Sequence, residues 1–285
     1  MSLQVKPIHG VFGAEISGVD LTRPLDDGDR EAIVAAVNQY GIGVVRDTGL
    51  NDESHVAFSR IFGPLEQAPR VDNRRARFSL PELFDASNLD ADGQINEDPM
   101  LRLHRRGDRL WHTDASFKPV RATHSLLLAY ETPPEGGETG FADMRGAYDA
   151  LPAEGKAEIE DLEVVHSLFM SRMLAGYPLT EEDIDAKPSA THRLVHVHPG
   201  SGRKALYLAS HARDVVGLPR EQGRKLLSEL IAFATQPQFA FEHVWRPGDL
   251  VIWDNLSTMH RGRDYDDQKY RRDMRRTTVR EAVAA

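Results

Sequence analysis

Gly248-Asp249-Leu250-Val251-Ile252-Trp253-Asp254-Asn255 runs from a turn, through an apolar strand, to a polar strand end, and then delivers His260 with Arg261-Gly262. Pro247-Gly248-Asp249 supplies the turn chemistry. The unbroken apolar run reads as a strand.

Similar runs lie on either side. Ser125 to Glu131 reads as a strand, and so do Thr139 to Asp143, Val164 to Phe169, Leu194 to His198 and Ala205 to Ala209. Phe239 to Trp245 and Met274 to Val279 complete the set. Helices are fewer. One runs through Ile33, Val34, Val37 and Tyr40 to Gly41, and a second through Phe58 and Ile61 is capped by Asn51 or Asp52. Met144 to Leu151 and Pro152 to Leu162 read as two more, and Leu218 to Thr235 is strongly amphipathic. Many strands with a few flanking helices predict one mainly β domain over residues 1–285, built as a sandwich or barrel-like core. Residues 65–110 have weak periodicity and read as loops around one strand at Leu83 to Ser87. A loop region of that length is expected to serve as an active-site lid.

Composition narrows the function. A net charge of −9 argues against general affinity for nucleic acid. There is no cysteine, which excludes a disulfide, a thiolate metal site and a cysteine nucleophile. No apolar run approaches about 18 residues, so no membrane helix is expected. The opening MSLQVKPIHG lacks a signal-peptide pattern, and a cytoplasmic enzyme is the expectation.

Trp111-His112-Thr113-Asp114 places an imidazole and a carboxylate two residues apart. On a strand these share one face. With His260 they make two histidines and one carboxylate, a facial ligand set that suits non-haem Fe(II). His196 and His198 form the rival i, i+2 pair, with no acidic neighbour in sequence. Near the C-terminus comes Arg271-Arg272-Asp273-Met274-Arg275-Arg276. On a strand Arg272 and Arg276 would face the same way, and two guanidinium forks suit two anionic groups in one pocket.

These motifs, with Gly18-Val19-Asp20-Leu21 and Phe62-Gly63-Pro64-Leu65, resemble the taurine dioxygenase/2,4-dichlorophenoxyacetate dioxygenase family along nearly the whole chain. The resemblance implies a double-stranded β-helix, or jelly roll, flanked by helices. It implies Fe(II) held by His112, Asp114 and His260, with 2-oxoglutarate as cosubstrate and O2 as oxidant. Thr139, in the family's G-G-x-T motif, and Arg272 would meet 2-oxoglutarate, and Arg276 the anionic head of the substrate.

Asp143 to Pro152 and Ser201-Gly202-Arg203-Lys204 look closer to the aryloxyalkanoate branch than to the taurine branch, so a substrate such as 2,4-dichlorophenoxyacetate is expected. Taurine, alkyl sulfonates and alkyl sulfates are the alternative. Arg70 and His211 are further substrate candidates by the same resemblance. Asp108 departs from it, because many relatives carry asparagine there. A homo-oligomer of two to four chains is expected. Two readings from other classes stand beside this one: a metal-dependent hydrolase using the same triad, and a non-catalytic binding protein of the same core. Only the dioxygenase gives the tandem arginines a task.

Overall fold

The computed structural model describes residues 2–10, 12–68 and 77–282. The chain opens with strands β1 (Gln4–His9) and β2 (Phe12–Ser17), helix α1 (Asp27–Tyr40), strand β3 (Ile42–Val45) and helix α2 (Asp52–Ser59). Strand β4 (Phe84–Asp85) and helix α3 (Pro99–Arg106) precede the long strand β5 (Ala122–Glu131) and β6 (Thr139–Asp143). Then come α4 (Met144–Ala150), α5 (Ala153–Ile159), β7 (Glu163–His166), α6 (Leu168–Leu174) and α7 (Glu181–Asp185). Four short strands follow: β8 (Ala190–Arg193), β9 (Val195–Val197), β10 (Lys204–Leu206) and β11 (Ala212–Val215). Helix α8 (Arg220–Ala234) leads to β12 (Ala240–His243), β13 (Leu250–Asp254), β14 (Thr258–Gly262) and β15 (Asp273–Arg280).

The opening stretch of the sequence reading is β13, and it lies in the middle of the main sheet. That sheet has seven strands in the order β1-β2-β3-β13-β5-β15-β4. A three-stranded sheet, β12-β6-β14, faces it. Period-2 alternation sorts the strands into two cores. Leu126 and Leu128 of β5, with Leu250 and Ile252 of β13, turn outward onto Ile33, Ala36 and Val37 of α1 and Phe58 of α2. Leu127 and Ala129, with Val251 and Trp253, turn inward onto Phe141 of β6. Both faces of the sheet are covered, which is why these strands read as continuous apolar runs. A third core joins α4 and α8 to the smaller sheets through Met144, Ala147, Leu227 and Leu230.

Local chemistry sets the helix ends. Asp26 caps α1 by accepting from the Asp29 N–H, and Gly41 closes it at φ 75°. Asn51 and Ser54 form a reciprocal capping box on α2.

The expectation of mainly β structure with flanking helices agrees with these sheets, and no barrel closes among the described residues. Three helices, α3, α6 and α7, depart from the sequence reading. α3 lies inside the region read as loops. Asp98 caps it with Pro99 at its first position, and it is only eight residues long. The run from Val164 to Phe169 is not one strand. Ser167 ends β7 and caps α6 by accepting from the Phe169 N–H. No described helix is long and apolar enough to cross a membrane.

Candidate active site

His260 lies on β14, and His112 pairs with it across a single antiparallel bridge. The two residues exchange backbone hydrogen bonds of 2.9 and 2.8 Å. Such a reciprocal pair fixes the spacing of two side chains on one face. Their rings stand 4.1 Å apart, centre to centre.

Asp114 lies two residues past His112, outside any named strand. The bridge stops at His112, because the Thr113 hydroxyl is engaged with the Leu208 and Thr258 carbonyls at 3.0 and 3.1 Å. The chain then turns at Ala115, whose φ of 54° is left-handed. Asp114 stands beside the histidines at the start of this turn. His112 Nε2 lies 3.9 Å from Asp114 Oδ1, and His260 Nε2 lies 3.7 Å from Asp114 Oδ2.

The three ligand atoms fall within 4.8 Å of one another. One point therefore lies within about 2.8 Å of all three, and a small inward shift reaches the roughly 2.0–2.2 Å of a metal bond. Among the described residues no other group of three such side chains is gathered this way.

Each member is oriented from behind. His112 Nδ1–H donates to the Leu110 carbonyl at 2.8 Å, which leaves Nε2 as the ligating nitrogen. Burial, followed by the neighbouring His112, holds the His260 imidazole well below the ordinary histidine range, and so neutral. Neutral imidazole is the form that binds metal. Burial would push the Asp114 carboxyl up, but Arg276, His260, His112 and the Ser125 hydroxyl outweigh it. The carboxyl stays ionised, well below the usual range.

Asn255 ties these parts together. Its Oδ1 accepts from the Asp114 N–H at 3.2 Å and from Trp253 Nε1–H at 3.1 Å. Its amide nitrogen donates to Ser125 Oγ at 2.9 Å, and Ser125 donates to Asp114 Oδ2 at 2.7 Å.

Of the predicted anion contacts, Arg276 reaches this centre. Arg276 Nη1 donates to Asp114 Oδ1 at 2.6 Å, and the guanidinium lies over Phe84 at 4.7 Å. Arg272 precedes β15 rather than lying on it, and the register shifts between Asp273 and Met274. The two arginines thus do not follow simple alternation along one strand. One Arg272 nitrogen donates to the Ala86 carbonyl at 3.0 Å. Burial lowers the Arg272 pKa, while Tyr265 and Asp108 nearby oppose that shift. Asp108, the departure from the family pattern, therefore bears on Arg272. Thr139 is buried, and its hydroxyl oxygen accepts from Trp245 Nε1–H at 2.9 Å. Its own proton remains to be donated.

His211 sits beside the centre, with its ring 6.0 Å from that of His112. Its Nδ1 lies 2.9 Å from Ser116 Oγ. Arg70 lies outside the described residues. The rival pair separates: His198 Nε2 meets Asp254 Oδ2 at 2.5 Å, while the His196 ring packs on Tyr207. Asp254 is the acidic partner that the local sequence around His198 does not show. Sequence reasoning also assigned no role to Ser116, Ser125 or Asn255. Only Asn255 carried a signal, its place directly after Trp253-Asp254.

Comparisons with known proteins agree with this geometry. The model of the family described as "Taurine catabolism dioxygenase TauD, TfdA family" matches residues 4–278. The chain is 40% identical to the alpha-ketoglutarate-dependent 2,4-dichlorophenoxyacetate dioxygenase of Cupriavidus pinatubonensis, covering 99% of this chain and 100% of that protein. It is 35% identical to the (S)-phenoxypropionate/alpha-ketoglutarate-dioxygenase of Sphingobium herbicidovorans, covering 93% and 91%. The crystal structure of AAD-2 in complex with Mn(II) and N-oxalylglycine superposes with a TM-score of 0.89 at 41% identity, covering 99% of this chain and 98% of that one. The chain belongs to the TauD, TfdA family and is a 2-oxoglutarate-dependent non-haem iron dioxygenase.

Proposed function

We propose that the enzyme hydroxylates a small aryloxyalkanoate such as 2,4-dichlorophenoxyacetate, with His112, Asp114 and His260 as its Fe(II) ligands. The observation that carries this reading is Arg276. It is a guanidinium already directed at the triad, with donors to spare for a second anion. The relatives named for phenoxyacetate and phenoxypropionate point to the same substrate class.

The site residues divide the work. His112 presents Nε2 because its Nδ1–H is held by Leu110. Asp114 stays charged and is aimed by Ser125 and Arg276. Thr139, whose oxygen is occupied by Trp245, offers its O–H to the far carboxylate of 2-oxoglutarate. Arg272, tethered on one side by Ala86, offers the rest of its fork to the same carboxylate. Bound Fe(II) supplies the redox chemistry that couples decarboxylation of 2-oxoglutarate by O2 to oxidation of a substrate C–H.

Arg276 holds the substrate carboxylate so that the carbon beside the ether oxygen faces the metal, and His211 lines the same space. Hydroxylation at that carbon gives a hemiacetal, which collapses to a phenol and an oxoacid. Succinate and carbon dioxide are the coproducts.

The finer architecture belongs to this reading. The main sheet and the β12-β6-β14 sheet, packed through Phe141 and Trp253, are the two layers of a jelly roll in one domain spanning residues 1–285. The described residues between 65 and 110, with α3, form its lid. A homo-oligomer and a cytoplasmic setting, where Fe(II) and 2-oxoglutarate are supplied, complete the proposal.

The test is succinate formation with added Fe(II) against phenoxyacetates, phenoxypropionates, taurine and alkyl sulfates. Phenoxyalkanoates should stimulate turnover and release a phenol. If only a sulfonate or sulfate ester does so, the substrate class is wrong.

A further inference from the structure

Behind the metal face lies a buried pair of histidines joined by one hydroxyl. Ser116 Oγ is 2.9 Å from His211 Nδ1 and 3.1 Å from His166 Nδ1. All three side chains are buried, Ser116 and His166 completely. Ser116 follows the left-handed Ala115 and lies in the turn that begins at Asp114. The loop carrying His211 is tied to the same segment. The Ser210 N–H donates to the Trp111 carbonyl at 2.8 Å, and the Thr113 hydroxyl donates to the Leu208 carbonyl at 3.0 Å.

A hydroxyl has one proton. It can donate to one ring nitrogen while it accepts from another, but it cannot donate to both. Two protonated Nδ1 atoms would leave the buried Ser116 proton without an acceptor among the described residues, so one Nδ1 is protonated and the other bare. His166 decides which. Burial pushes its pKa down to about 3, so the ring is neutral and carries one proton. Its Nε2 is buried and has no hydrogen-bond partner among the described residues. A proton there would leave an orphaned N–H, which is rarer and costlier than an unpaired acceptor. The proton therefore sits on His166 Nδ1 and is donated to Ser116. The Ser116 O–H is then donated to His211 Nδ1, and His211 carries its own proton on Nε2.

We propose that Ser116 and His166 are positioning residues that lock His211 as an Nε2–H donor for an oxygen atom of the substrate. This rests on the reading of His211 as a substrate contact. The fixed donor favours a substrate that presents a carboxylate or ether oxygen at this point. It disfavours one that presents an ammonium group there.

The test is ¹⁵N NMR of ring-labelled histidine in the full chain loaded with Zn(II) and 2-oxoglutarate, assigned with His211→Phe and His166→Phe. The expected result is opposite tautomers, His166 protonated at Nδ1 and His211 at Nε2. Ser116→Ala should abolish the bias of His211 and raise KM for 2,4-dichlorophenoxyacetate about tenfold. KM for 2-oxoglutarate should not change. Ser116→Thr should restore both readouts. The same tautomer in both rings, or His211 protonated at Nδ1, overturns the proposal. So does an unchanged His211 signature in a folded Ser116→Ala protein. If His211→Phe keeps the wild-type KM, the substrate contact is overturned, while opposite tautomers in the wild type still support the buried relay itself.

Discussion

Arg276 donates to Oδ1 of Asp114 at 2.6 Å, while Ser125 donates to Oδ2. Both carboxylate oxygens are thus engaged, one by a charge and one by a hydroxyl. A positive charge this close weakens the pull of Asp114 on a cation and prepares a place for a second anion. Arg276→Gln should raise KM for a phenoxyacetate about 100-fold, the scale of a lost charge-assisted pair. Affinity for Co(II), measured by spectroscopic titration without substrate, should stay equal or become tighter. Weaker Co(II) binding at unchanged KM would reverse the assigned role.

Asn255 gathers the Asp114 N–H, the Trp253 indole N–H and the Ser125 hydroxyl. Replacing it by alanine leaves buried donors without partners, at roughly 1–3 kcal/mol for each group. Asn255→Ala should therefore lose about 2–4 kcal/mol in urea unfolding. Metal affinity should fall about 10- to 100-fold, the usual effect of removing an outer support. Stability and metal affinity both within error of wild type would show that Asn255 supports nothing.

The sequence was legible where burial imposes a simple period. β13 and β5 read correctly because they are covered on both faces, and α8 because its apolar stripe repeats at helical spacing. The triad was legible as a set of residue types, but its geometry was not. Nothing in the letter Ala115 announces the left-handed turn that follows Asp114. α3 was hidden because it is only eight residues long and lies within a stretch of otherwise weak periodicity. The His198–Asp254 pair and the Ser116 bridge between His166 and His211 join segments distant in sequence. Only the folded topology brings such partners together.

His55 on α2 gives a pH prediction away from the metal face. Burial, opposed by Asp52, lowers its pKa from 6.5 to about 4. As the pH falls, the unfolded chain takes up the proton first. The stability tied to neutral His55 is therefore fully present above pH 6.5 and lost progressively towards pH 4. That lowering corresponds to about 3 kcal/mol. His166 and His196 act in the same direction, with values of about 3 and about 4. The wild type should weaken steeply on acidification, and His55→Phe should show about 2–3 kcal/mol less of that loss between pH 7.5 and 4.5. Parallel stability curves for the two proteins would contradict the assignment.

Ala115 stands between Asp114 and Ser116, and its backbone conformation serves both. At φ 54° an alanine costs about 1–2 kcal/mol that a glycine does not. Glycine in turn gives the unfolded chain more freedom, worth about 0.4–1 kcal/mol. Ala115→Gly should thus change stability by no more than about 1 kcal/mol and keep Co(II) binding. A β-branched residue fits this region worst. Ala115→Val should force the turn open, moving Asp114 off the histidines and Ser116 off His211 together. Its expected signature is a paired loss: Co(II) affinity falls, and the opposite tautomers of His166 and His211 disappear in the same variant. If Ala115→Val lost one property and kept the other, the turn would not be the shared support of the metal face and the buried relay.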